Sequence, residues 1–221
     1  KVTIANYDDI SKGINENVEL VISENNEENI EKMITLILDE LVSFPQLSDV
    51  FSRLYNDLYN LHNEVFKESL NMFIKNYDDV ITNIICTDGL DPQSSQENYD
   101  KYCLNNKRNS VRNSMGLFMI NLMKYDIIKK EYVISIINYF QDMLLKTKDE
   151  ENKKTVVDEL TENILTLTIN SKEYLKDMKE WEIIKEKAKN STRLVVKEHK
   201  SYTSRSKFKH MDILDNLNKI I

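Results

Sequence analysis

Chain breakers are scarce in this sequence: three glycines and two prolines among 221 residues. A β-rich fold needs turn residues at short, regular intervals, so the scarcity excludes most all-β architectures and favours long helices. Cysteine is nearly absent as well. Cys86 and Cys103 have no C-x-x-C spacing and no histidine close by in sequence. That argues against a disulfide framework or a zinc site and makes a reducing, cytoplasmic compartment the expectation. No apolar run approaches the roughly 20 residues needed to cross a bilayer, so no membrane association is expected, and no signal peptide is visible. A P-loop, a Rossmann glycine fingerprint and an H-E-x-x-H helix are missing too. His62, His199 and His210 have no recognisable spacing to a Ser or Cys nucleophile. The expectation is a binding protein with no catalytic centre, no metal and no cofactor. The chain begins at Lys1 rather than Met, which points to a segment of a longer protein.

What is present is charge and helical periodicity. Charged residues make up 30% and hydrophobic residues 41%, a balance that suits a folded domain rather than a disordered one. The net charge of −7 conceals an asymmetry. Residues 1–100 carry 20 Asp/Glu against 6 Lys/Arg, and residues 101–221 carry 17 against 24. The strongest basic stretch, 185–209, holds nine Lys/Arg and two Glu. Such a molecule can orient a charged partner or hold a different one at each end.

Apolar residues recur at steps of three and four along almost the whole chain. Tyr7, Ile10, Ile14, Val18 and Val21 form one stripe; Ile30, Met33, Ile34, Ile37, Leu38, Leu41 and Val42 a second. Two more run from Leu47 to Leu61 and from Phe66 to Ile81. This is the 3.6-residue period of an amphipathic helix. The Ser23–Asn26 cluster supplies a cap for the second helix, with Glu27 and Glu28 in its first turn, and Phe44-Pro45 ends it. Periodicity fails over residues 86–107, where Asp88-Gly89 and Asp91-Pro92 are turn signals, and a long exposed loop is expected there. Further helices are expected at about 108–124, 130–147, 150–170, 172–190 and 203–219. About nine helices with short links favour antiparallel neighbours. Each hairpin is too thin to bury its apolar face alone, so the spacing predicts a single all-α domain of stacked antiparallel helical hairpins, an α-solenoid crescent.

Four segments, taken in order, resemble one family. Lys1-Val2-Thr3 with Tyr7-Asp8 and Ile10 is similar to an opening K-L-T-x-x-x-F-D-x-I. Ile34–Leu58 resembles a stretch with a central E-P, here Phe44-Pro45. Lys107–Ile128 is similar to a helix with a basic start and an F-I-G-x-L-F core, here Phe118-Met119-Ile120-Asn121-Leu122-Met123. Thr203-Ser204-Arg205-Ser206-Lys207-Phe208-Lys209-His210-Met211-Asp212-Ile213 closely resembles S-S-R-I-K-F-x-L-x-D-I. The family is the HEAT-repeat middle domain of eukaryotic translation initiation factor 4 gamma. The departures are Ile120 and Ser114, which stand where the family has glycines, and a basic cluster thinned to Lys107, Arg108 and Arg112.

The resemblance implies a translation-initiation scaffold that binds and activates a DEAD-box RNA helicase, contacts RNA, and reaches other initiation factors through flanking segments. It places the helicase contacts at Val2, Tyr7, Lys207, Phe208, Lys209 and Asp212. Tyr7 and Phe208 also lie on apolar stripes and are equally readable as core. Weak, sequence-tolerant RNA contact is expected of Lys185, Lys187, Lys189, Arg193, Lys197, Lys200 and Arg205, because each phosphate neutralised releases counterions. Aromatics for base stacking are few there, Tyr202 and Phe208. Other readings remain: the same domain serving mRNA splicing, decay or poly(A)-linked regulation, or an unrelated helical adaptor. A monomer is expected. An abundance of Asn, Lys and Ile accords with an AT-rich genome, such as that of some protists or giant viruses.

Two sharper motifs fall to plainer readings. Asp88, Asp91, Glu97 and Asp100 lack the EF-hand spacing and its terminal glutamate, so a flexible acidic loop is expected. Tyr139 with Leu144-Leu145 fits the Y-x-x-x-x-L-apolar pattern of cap-binding-protein ligands. It lies among Ile136, Ile137 and Phe140 and reads as core.

Overall fold

A computed structural model describes residues 6–218. They are helical, with no strand among the described residues. Nine α-helices follow one another: α1 (Tyr7–Ser23), α2 (Glu27–Ser43), α3 (Ser48–Leu61), α4 (Asn63–Thr82), α5 (Gln96–Lys124), α6 (Lys130–Thr147), α7 (Lys154–Leu175), α8 (Trp181–Arg193) and α9 (Ser204–Asn218). Single 3₁₀ turns at Pro45–Leu47 and Val196–Glu198 lead towards α3 and α9.

The anticipated punctuation holds at α2. The Asn26 side chain accepts from the Asn29 amide at 3.1 Å, and Glu27 and Glu28 occupy the first turn. Pro45 opens the 3₁₀ turn, as its locked φ and missing N–H favour at a first turn. Only His62 separates α3 from α4.

Two boundaries differ from expectation. The long loop does not extend over 86–107: α5 begins at Gln96, and the connection from α4 is residues 83–95. Residues 96–104 are exposed or half-exposed, so no apolar stripe marks them as helical. They are helical for other reasons. Ser95 caps the helix through the Asn98 amide, and Gln96–Asp100 and Lys101–Glu97 pair at i,i+4. Extending a helix already formed by the buried 105–123 segment costs far less than nucleating a new one. The second difference is the break after α7, which falls at 176–180 rather than near 171, because Ser171 and Leu175 are both buried and keep the helix going.

The core is one cluster of buried hydrophobic side chains running from Tyr7 to Ile213. Its centre is an edge-to-face aromatic chain: Tyr55 lies 5.7 Å from Phe66 and 5.8 Å from Phe118, and Phe118 lies 5.6 Å from Phe73. This ties α3, α4 and α5 together. A Cβ on Gly116 of α5 would stand 2.8 Å from Tyr77 Oη and 3.1 Å from Leu167 Cδ2, so a side chain there would hold α4 and α7 off. Ile120 and Ser114, the positions of the family's glycines, are buried with their side chains accommodated. Helices pack mainly on those one or two places away in the chain: α6 on α7, α5 on α7, α3 on α5, α7 on α9, α8 on α9.

Candidate protein-docking site

The C-terminal helix carries most of the proposed contact residues, and its own anchoring decides which of them face outward. Thr203 precedes α9 and its Oγ1 accepts from the Ser206 amide at 3.0 Å. The Ser206 hydroxyl donates to Asp158 on α7 at 2.7 Å, and the Thr203 hydroxyl donates to the same carboxylate. The buried Tyr202 donates its hydroxyl to the Ser191 carbonyl of α8 at 2.8 Å, and burial raises its pKa. His210, in the second turn of the helix, is buried. Its Nδ1 meets the Ser206 carbonyl at 2.8 Å, and burial depresses its pKa against the opposing pull of that bond.

Two of the three basic residues of this helix, Lys207 and Lys209, turn inward, while Arg205 stays exposed. Lys207 donates to the Leu194 carbonyl at the end of α8, at 3.0 Å. Lys209 pairs with Glu162 of α7, and Arg205 approaches the same carboxylate at 3.6 Å. They stitch α9 onto α7 and α8. The outward face carries two apolar side chains, Phe208 at 64% exposed and Met211, three residues on, at 44% exposed, with Arg205, Asp212 and Asp215 also exposed on the helix. Met211 lies on the last apolar stripe and within the 207–212 stretch, but the sequence did not mark it individually as a contact. The apolar stripe Phe208–Met211–Leu214–Leu217 gives no sign of where tertiary packing stops.

Of the two N-terminal candidates, only Tyr7 falls within the described residues, and it is buried. Val2 lies outside the described residues. Tyr7 is 3% exposed, donates its hydroxyl to Asp57 at 2.5 Å, and has the Arg53 guanidinium 4.0 Å above its ring. Burial and the Asp57 carboxylate together raise its pKa. Tyr7 therefore locks α1 to α3 and presents no face to a partner.

Five of the seven RNA candidates already have an acidic partner. Lys185 pairs with Glu182, and Lys189 stands 3.9 Å from Glu186, each along α8 itself. Lys187 points to Asp142 and Asn138 of α6, and Lys200 to Glu151. Arg193 and Lys197 are exposed and make no ion pair among the described residues. The basic character of 185–209 is thus largely compensated, by Glu182 and Glu186 within or beside the stretch and by Asp142, Glu151 and Glu162 from elsewhere in the chain.

Asp88 proves to be a helix cap. Its carboxylate accepts from the Lys154 and Thr155 amides at 2.6 and 2.8 Å, at the start of α7 where Lys153 offers no cap of its own. Burial pushes this carboxyl up, but the Thr155 and Lys154 hydrogen bonds outweigh it and hold the pKa below the usual value. Cys86 Sγ donates to the Asn152 carbonyl at 2.9 Å beside it. Leu144 of the Y-x-x-x-x-L pattern is buried and Tyr139 half-buried. No grouping of three or more His, Cys, Asp or Glu suited to a metal ion occurs among the described residues, and no helix there is long and apolar enough to cross a membrane.

With this geometry in hand, comparison finds no protein-family model, curated protein or solved structure that matches the chain.

Proposed function

We propose that this chain is a translation-initiation scaffold that docks a DEAD-box RNA helicase on the outer face of α9. The observation that carries the reading is Phe208: a phenylalanine 64% exposed, on the segment that most closely resembles the family's helicase-bordering stretch. Exposed aromatic side chains at the centre of a patch are the usual anchors of protein interfaces. Met211 extends the apolar surface and Asp212 supplies a charge at its rim, where it affects encounter and partner choice more than affinity.

The finer architecture belongs to the same proposal. The helices are read as HEAT-like hairpins layered side by side, and the support is that the main packing pairs are neighbours or next-neighbours in the chain. A scaffold of this kind activates a two-lobed motor only by binding one lobe arrangement better than another. RNA contact, if it accompanies this role, rests on Arg193 and Lys197, whose charges are not already paired.

The test is a pull-down and a titration with a DEAD-box initiation helicase, followed by its ATPase rate. Phe208→Ala is expected to weaken binding at least about tenfold, the loss typical of an interface anchor. Its melting temperature should stay unchanged, since the ring buries little. Lys207→Glu with Lys209→Glu is a poorer probe, because both lysines hold α9 in place. Undiminished binding and stimulation by Phe208→Ala would exclude the α9 site.

A further inference from the structure

A second surface lies on the other half of the molecule. The last turn of α4, the chain just after it and the first half of α5 enclose an open groove of about 670 Å³. Its walls are apolar: Val80 and Ile84 on one side, Leu104 and Val111 on the other. Leu104 is 47% and Val111 37% exposed, two turns apart on one α5 face. Lys107 and Arg108 stand between them on the same wall. Behind the wall is Arg112, fully buried, which donates to the Val80 carbonyl at 3.1 Å and to Asn109 Oδ1 at 2.7 Å. Neither Lys107, Arg108 nor Arg112 makes an ion pair among the described residues. Asp79 is the one acidic residue of the lining, against the three cations Lys107, Arg108 and Arg112, so the groove is basic on balance.

We propose that this groove receives an amphipathic acidic segment of a partner protein, its apolar side chains seated between Ile84 and Leu104–Val111 and its carboxylates on Lys107 and Arg108. The charge pattern selects the occupant. Unpaired cations beside an apolar trough satisfy carboxylates that flank an apolar stripe, the ordinary helix-in-groove mode of recognition. Single-stranded RNA fits less well, because the lining contains no aromatic ring on which a base could stack. The site is separate from α9 and independent of the helicase reading.

The test selects 16-residue peptides from a random phage-displayed library against the whole chain and counter-selects on Leu104→Asp/Val111→Asp. Selected peptides are expected to be rich in Asp and Glu, with apolar residues three and four apart. In fluorescence anisotropy, Lys107→Glu/Arg108→Glu should weaken the best peptide by about tenfold or more, the scale of losing close interfacial charge pairs. The same peptide with its carboxylates changed to lysines should bind this charge-reversed protein better than the original protein, a rescue that a misfolded variant would not give. Phe208→Ala should leave the affinity unchanged, so the two sites fail or stand separately. Recovery only of basic peptides, indifference to both double variants, or tighter competition by oligouridylate than by acidic peptide would overturn the proposal.

Discussion

At the scale of single residues, the tightest point of the molecule is the contact between Gly116 and Tyr77. The Tyr77 hydroxyl is buried, finds no hydrogen-bond partner, and sits where a Gly116 side chain would go. Gly116→Ala gains helix propensity of about 1 kcal/mol. It must also displace a phenol that has no free space, and overpacking of this kind costs about 1–3 kcal/mol. The expected net result is destabilisation. Tyr77→Phe removes a buried, unpaired hydroxyl and should be neutral or stabilising. In that background Gly116→Ala should lose most of its penalty. Urea denaturation of the four proteins in a double-mutant cycle checks this; additive effects would mean that the two side chains do not meet. The same logic separates Tyr7 from Phe208. Both lie on apolar stripes, but one is sealed by Asp57 and Arg53 while the other faces solvent.

At the scale of elements, most described caps are local, but one helix end is settled by a residue that comes from elsewhere. The start of α7 borrows its cap from Asp88, some 66 positions earlier. Asp88→Ala should destabilise the chain by about 1 kcal/mol at neutral pH, as loss of an N-cap does. The sign of the pH dependence follows from the depressed pKa in the folded chain. The stabilisation is present above the unfolded carboxyl value, near 3.9, and is lost as the pH falls through the lower folded value. The gap between wild type and Asp88→Ala in denaturant midpoint should therefore close in acid. A gap that persists once carboxylates are protonated would assign the effect to something other than this cap. The first half of α5 is the counterpart case, held by its Ser95 cap and local pairs with little buried surface.

At the scale of the whole molecule, burial is uneven. Helix α1 buries two residues, Tyr7 and Val18, whereas α5 and α7 bury long runs and stand between the two halves. Elements with few buried apolar contacts open at lower free energy than the global transition. Amide hydrogen exchange should thus be fastest in α1 and at residues 96–104 and slowest in the centres of α5 and α7. Uniform protection along the chain would contradict this gradient. The charge difference between the halves acts at this scale too, since it steers encounter over distances that single pairs do not reach.

The sequence alone determined the helical class, most helix ends and the central core, because amphipathic period and caps are local and each stripe can be read without knowing its neighbours. It could not mark residues 96–104 as helix, since a helix extended from a buried segment needs no stripe of its own. Only the tertiary structure decided which candidate contacts remain outside. Tyr7 was covered by Asp57 and Arg53, Lys207 and Lys209 were drawn onto α8 and α7, and Phe208 was left uncovered. The reason is that a side chain's freedom to bind depends on what chain folding sets against it, and those neighbours lie 13 to 50 positions away.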